Sequence, residues 1–366
     1  MAVRDPLAGA RRPSHDRTVV KIGSLFDVPL RQRIEPVVKV EDLADERRLA
    51  DELDGTVVTA PVEAFLDELF HAYSSALDGD GRAAEVGVWL SGPFGCGKSH
   101  LAKLLALAVR GEPIDGASLE SRLVARLPRR SKHRRRIGQC LAAMGRRPGW
   151  VLPCQLGAHA DGEGSSLARI LLAALYRQRG YSGNVLYAQA VESAIDRRGR
   201  LDDFRRRAAA RAGVDFEEIQ RGPAPYHRAL CEAASEVAPE LFDTPRAAEQ
   251  AVERTRIGEL CTTDSFVATA LGELEAMGQD RMLLLLDEAG PWAKGQQGRL
   301  SELQALVEQA ALRGRGRLWI LVIAHEDVAA ARAGWGGPRD EWKSIESRFR
   351  FRLALGPESI GQVVEQ

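Results

Sequence analysis

Gly92-Pro93-Phe94-Gly95-Cys96-Gly97-Lys98-Ser99 matches the pattern G-x-x-x-x-G-K-[ST]. Glycines let a loop wrap closely round a polyphosphate, because they adopt backbone angles that other residues avoid. Successive N–H groups then face the anion, with the positive end of a helix behind them. The neighbours suit this arrangement. Val86-Gly87-Val88-Trp89-Leu90 precedes the loop as an apolar run readable as a buried strand. His100 to Val109 follows with helical periodicity. A chance glycine turn is the competing reading, and the flanking strand and helix argue against it. The pattern assigns the backbone of Gly92, Pro93, Phe94, Gly95, Cys96 and Gly97 to phosphate, Lys98 to the β- and γ-phosphates, and the Ser99 hydroxyl to Mg²⁺.

Further along, Arg281-Met282-Leu283-Leu284-Leu285-Leu286-Asp287-Glu288 reads as an apolar strand ending in two acids. This is the Walker B pattern. It delivers Asp287 to the Mg²⁺ shell and sets Glu288 to polarise an attacking water as a general base. Leu318 to Ala324 forms another buried strand, ending in His325-Glu326-Asp327. Near the C-terminus stands Ile345-Glu346-Ser347-Arg348-Phe349, an arginine after a short helix and before a strand. A planar, permanently charged fork there can bridge phosphate oxygens in a transition state. An amphipathic strand with solvated arginines is the plainer reading of the same residues. The paired motifs upstream favour Arg348 as an arginine finger.

Composition narrows the classes. Hydrophobic content of 45% with 28% charged residues fits a globular chain. Lys+Arg and Asp+Glu both number 51, so any nucleic-acid signal must be local. Such a signal exists between Arg122 and Arg147, where Arg122, Arg126, Arg129, Arg130, Lys132, Arg134, Arg135, Arg136, Arg146 and Arg147 cluster without interleaved aromatics. It reads either as a solvated helix face or as a contact to the phosphate backbone of DNA or RNA. Binding an acidic partner is the third possibility. The five cysteines are scattered without a C-x-x-C pair, which argues for reduced thiols and a cytoplasmic setting. No apolar run approaches a membrane span.

The expected architecture is a three-layer α/β P-loop NTPase domain with a mostly parallel sheet. Residues 1–17 read as a disordered tail and 18–82 as an N-terminal extension. The ATPase core is expected at 83–182 and 279–366, separated by a helical insertion at 183–278 with its own small core.

The order of these motifs resembles the AAA+ ATPases. The N-terminal hundred residues resemble more closely the large P-loop proteins of BREX and phage-growth-limitation systems, the BrxC/PglY type. That likeness rests on Ile22-Gly23-Ser24-Leu25-Phe26, Glu35 to Val40, Val57-Val58-Thr59 and Val86 to His100, with Phe94 and His100 flanking the loop. It resumes at Leu284 to Glu288 and Ile323 to Leu355. The resemblance implies an ATP- and Mg²⁺-dependent ATPase in a bacterial antiphage complex. Its partners would be a DNA methyltransferase and other system proteins, and it would form a homo-oligomer when full length. It puts Lys98, Ser99, Asp287 and Glu288 at the nucleotide. His325 falls where the family carries a polar sensor but differs in residue type. The chain stops before a helical lid would be completed. A nucleotide switch that does not hydrolyse, or a DNA-tethering scaffold, is the alternative expectation.

Overall fold

A computed structural model describes residues 45–77, 85–159, 166–294, 298–325, 331 and 347–356. The strands expected at 18–22 and 36–40, the turn at 78–81 and Glu326–Asp327 lie outside the described residues. All the described residues belong to one compact unit, residues 39–366.

Among the described residues, five short runs build the sheet: β1 (Gly87–Ser91), β2 (Trp150–Gln155), β3 (Met282–Asp287), β4 (Leu318–Ala324) and β5 (Phe351–Ala354). Their order is β2-β3-β4-β1-β5, and every pairing is parallel. A parallel sheet covered on both faces needs strands that are apolar throughout. All seven residues of β4 are buried accordingly, as are all five of β1.

Helices cover both faces of this α/β sheet, giving three layers. On one side pack α2 (Ala60–Leu77), α3 (Lys98–Arg110) and α5 (Arg134–Gly145), with α4 (Leu119–Arg126) against α5 and α1 (Glu46–Asp54) against α4. On the other side pack α6 (Leu167–Gln178), α10 (Thr263–Ala276) and α12 (Arg299–Gly314), with the short α11 (Ala289–Ala293) beside α12. Between α6 and α10 the chain is helical, including α7 (Leu201–Ala212), α8 (His227–Val237) and α9 (Pro245–Arg254). Ser166 starts α6 by accepting the Arg169 N–H, and Thr244 with Pro245 starts α9 in the same manner. The hydrophobic residues of this excursion join one continuous core with those of the sheet. The separate small core expected there is therefore not found. The helix α10 shows why: although it lies within 183–278, it packs on α6 and α12 as part of the outer layer.

Register fixes which residues share an edge. Gln155 pairs with Asp287, and Ser91 pairs with both Ala324 and Ala354. The C-terminal ends of all five strands therefore face one way, and the loops that follow them share one edge of the sheet. Among the described residues no helix is long and apolar enough to cross a membrane.

Candidate functional site

The glycine loop joins β1 to α3 at that edge. Gly92 has φ +146°, and a Cβ there would run into the Leu355 carbonyl and lie 2.7 Å from Cys96 Sγ. Only glycine permits this close approach of the two chain segments. Gly97 sits at φ +92° directly before α3, with open space around it and no side chain capping the helix. The first N–H groups of α3 thus keep no side-chain partner, the condition under which a helix start attracts an anion. Pro93, Phe94 and Gly95 are exposed while Cys96 is buried.

Lys98 is 7% exposed. Its ammonium donates to the carbonyls of Gly92 at 2.6 Å and Pro93 at 2.8 Å, and lies 5.8 Å from the Phe94 ring centre. The cation thus clasps its own loop. Ser99 follows in the first turn of α3, half-buried.

Asp287 ends β3. One strand, β4, separates β3 from β1, which puts the two strands about 10 Å apart. Burial pushes the Asp287 carboxyl above its ordinary range. The Glu288 N–H, which donates to it at 2.8 Å, pulls it down, the Glu288 charge pushes it up again, and the Lys98 and His325 charges pull it down. Lys98, Asp287, Glu288 and His325 therefore share one electrostatic neighbourhood. Glu288 itself has φ +54°, an uncommon angle for a residue with a side chain. The angle swings its carboxylate against Gly157, so closely that a Cβ on Gly157 would collide with it. Such a backbone angle persists only where the surrounding structure holds it.

His325 leaves the end of β4. Its carbonyl accepts the Gly92 N–H at 3.3 Å, and its ring lies 4.0 Å from that of Phe94, centre to centre. Its Nδ1 is buried without a hydrogen-bond partner. Phe94 remains 82% exposed.

Two site-bordering features escaped the sequence reading. Gln155 ends β2 beside Asp287; a polar residue closing an apolar run was its signal. The second is a clasp on the first turns of α3. Glu52 of α1 pairs with Lys103 at 2.7 Å, with side chains 12% and 3% exposed. The Thr56 hydroxyl donates to the Glu52 carbonyl at 3.2 Å and hydrogen-bonds His100 Nε2 at 2.7 Å. Burial lowers the His100 pKa, the Glu52 charge opposes that shift, and the Lys103 charge adds to it. His100 is thus a half-buried residue at the loop's exit, held by Thr56.

Arg348 is not brought to this edge. Its carbonyl lies against Gly87 at the start of β1, whereas Leu355 lies against Gly92 beyond its end. The run from Gly87 to Gly92 separates them by about 16 Å. Arg348 instead pairs with Glu308 of α12 at 3.2 Å.

No metal-binding cluster of three or more His, Cys, Asp or Glu exists among the described residues. A magnesium ion that keeps its waters and shares phosphate oxygens needs only one or two protein ligands. Ser99 and Asp287 are the groups here that fit that demand. No family model matches the chain, and no solved structure matches it.

Proposed function

We propose that this chain binds ATP with Mg²⁺ in the glycine loop and hydrolyses it. The observation that carries this reading is the convergence of Lys98, Ser99, Asp287 and Glu288 on one edge of the parallel sheet. Open α/β sheets bind ligands at the carboxyl ends of their strands, so fold and motif agree. In this reading the domain is a P-loop NTPase of AAA+ character. The first N–H groups of α3 receive the phosphates. Lys98 exchanges two carbonyl oxygens for β- and γ-phosphate oxygens. Ser99 and Asp287 would hold Mg²⁺, which would supply charge neutralisation to the phosphates. Glu288 accepts a proton from a water as that water attacks the γ-phosphorus, and ADP leaves. Arg348 sits too far from its own loop to join this step. Its role would be played on the loop of a second copy, so the reading carries a homo-oligomer with it. The antiphage setting, with a DNA methyltransferase as partner, rests on the sequence resemblance alone. Residues 22–40, which carry part of it, lie outside the described residues.

Nucleotide affinity and turnover of Glu288→Gln test the chemistry. The variant is expected to bind ATP as the parent does and to hydrolyse it about 10²- to 10³-fold more slowly. Equal turnover in both removes Glu288 from the step. Tight binding with no turnover in the parent leaves a nucleotide switch in place of an ATPase.

A further inference from the structure

The basic stretch between Arg122 and Arg147 divides into two groups. Arg122 donates to Asp54 at 3.0 Å and to the Ile114 carbonyl at 3.0 Å. Arg134 donates to the Leu127 carbonyl at 2.6 Å, and Arg147 pairs with Asp280 at 2.8 Å. Arg136 and His133 both hold the buried carboxylate of Asp67, which together they draw below its ordinary range against the opposing push of burial. These cations tie helices together. Arg129, Arg130, Lys132 and Arg135 do not. All four are exposed, and among the described residues none of their side chains forms an ion pair or hydrogen bond.

The turn that carries them is fixed. The Ser131 N–H donates to the Pro128 carbonyl at 3.0 Å. The Ser131 hydroxyl accepts the N–H groups of His133 at 3.0 Å and Arg134 at 3.2 Å, and it donates to Glu63. Of the acids packed nearby, Glu63 is engaged by Ser131, Asp67 by Arg136 and His133, and Glu68 by the charge of Arg136, while Glu120 of α4 faces α5 at Gly138. The first turn of α5 holds arginines and no acid. Such a helix start repels its own side chains, which an anionic partner would relieve. The helices α3 and α5 end side by side, at Gly111 and Gly145. Their starts, and the turn before α5, therefore lie toward the sheet edge that carries the glycine loop.

We propose that Arg129, Arg130, Lys132 and Arg135 dock the phosphate backbone of double-stranded DNA. Three of the four are arginines, whose planar fork matches phosphate oxygens. The turn lacks the aromatic rings that stack unpaired bases, so it suits a duplex read by charge and not by sequence. The inference stands apart from the nucleotide reading, since neither set of residues belongs to the other.

Fluorescence anisotropy with a duplex of about 30 base pairs and arbitrary sequence, measured across a salt series, tests it. Four phosphate contacts predict a slope of log K on log salt of about −3.6. The variant R129Q/R130Q/K132Q/R135Q is expected to flatten that slope and lose at least about tenfold in affinity at low salt. Its melting temperature should not fall, because the four side chains are exposed and tie no helix to another. Each single substitution should remove about 0.9 from the slope, and Arg146→Gln, at the far end of α5, should remove none. A parent-like slope in the quadruple variant overturns the proposal. So does a parent that ignores DNA at low salt, or one that prefers polyglutamate to DNA.

Discussion

The two ends of the same parallel strands carry charges of different character. At the carboxyl ends, Lys98, Asp287, Glu288 and His325 gather without a closed set of partners: Lys98 holds loop carbonyls, and Nδ1 of His325 has none. At the amino ends each arginine is tied locally. Arg281 donates to the Tyr73 carbonyl, Arg350 binds Glu85, and Arg348 binds Glu308. A parallel sheet collects reactive groups at one end because every strand delivers its last residue there. The other end becomes a place to pin helices. Arg348 tests this division, because its sequence context assigns it to phosphate while it sits at the pinned end, tied to Glu308.

The sharpest way to break the contrast is to remove that arginine. Arg348→Ala is expected to lower turnover by about 10³-fold, the scale of a lost arginine finger, while ATP affinity stays the same. Mixing Arg348→Ala with Glu288→Gln should restore activity, because one variant keeps the base and the other keeps the arginine. Recovery in a steady-state phosphate-release assay supports action between copies. Failure to recover returns Arg348 to a merely structural pairing with Glu308.

A smaller effect comes from Glu192, at the end of a π-helical turn (Ala188–Glu192) in the excursion between α6 and α7. Its carboxyl is fully buried, and burial raises its pKa to about 7, with the Ser182 N–H and hydroxyl pulling the other way. The folded state thus binds this proton more tightly than the unfolded chain does. The stabilisation it gives is present below the ordinary glutamate pKa and is lost as pH rises through about 7. The loss amounts to on the order of 3 kcal/mol. Urea unfolding at several pH values should show stability falling between roughly pH 5 and 8, and Glu192→Gln should flatten that fall. An unchanged slope would put the proton elsewhere.

The mildest test concerns the clasp on α3. Thr56→Val removes the hydrogen bond to His100 and should weaken nucleotide binding by about 1 kcal/mol, or roughly fivefold. Thr56→Ser should restore it. Calorimetric titration of both variants reads this out, and equal affinities for Val and Ser would make the contact packing alone.

Much of the fold was legible because its signals are local. The strand Leu318–Ala324 coincides with its apolar run, and the helix α2 begins at Ala60-Pro61 as the proline required. The glycine loop lies between strand and helix, where its spacing put it. What escaped were relations between distant segments. Whether an arginine of the basic stretch is free or engaged depends on Asp54 and Asp67, each 68 or 69 residues earlier in the chain. The end of the sheet on which Arg348 stands depends on β5 running parallel to β1. The ring contact of Phe94 with His325 spans the gap between two strands that only folding makes neighbours. Pattern and periodicity carry no information about such pairings.

The strand order has one further consequence, for the growing polypeptide. Both neighbours of β1 are encoded late: β4 begins at Leu318 and β5 at Phe351. A ribosome adding about 5–20 residues each second needs roughly 10 to 50 seconds to reach them after β1 has emerged. Throughout that interval β1 has both hydrogen-bonding edges bare, and such edges invite pairing with other chains. Nascent molecules of this protein therefore depend on shielding until their last third has been made, and crowded synthesis at high temperature should aggregate them more readily than it harms finished ones.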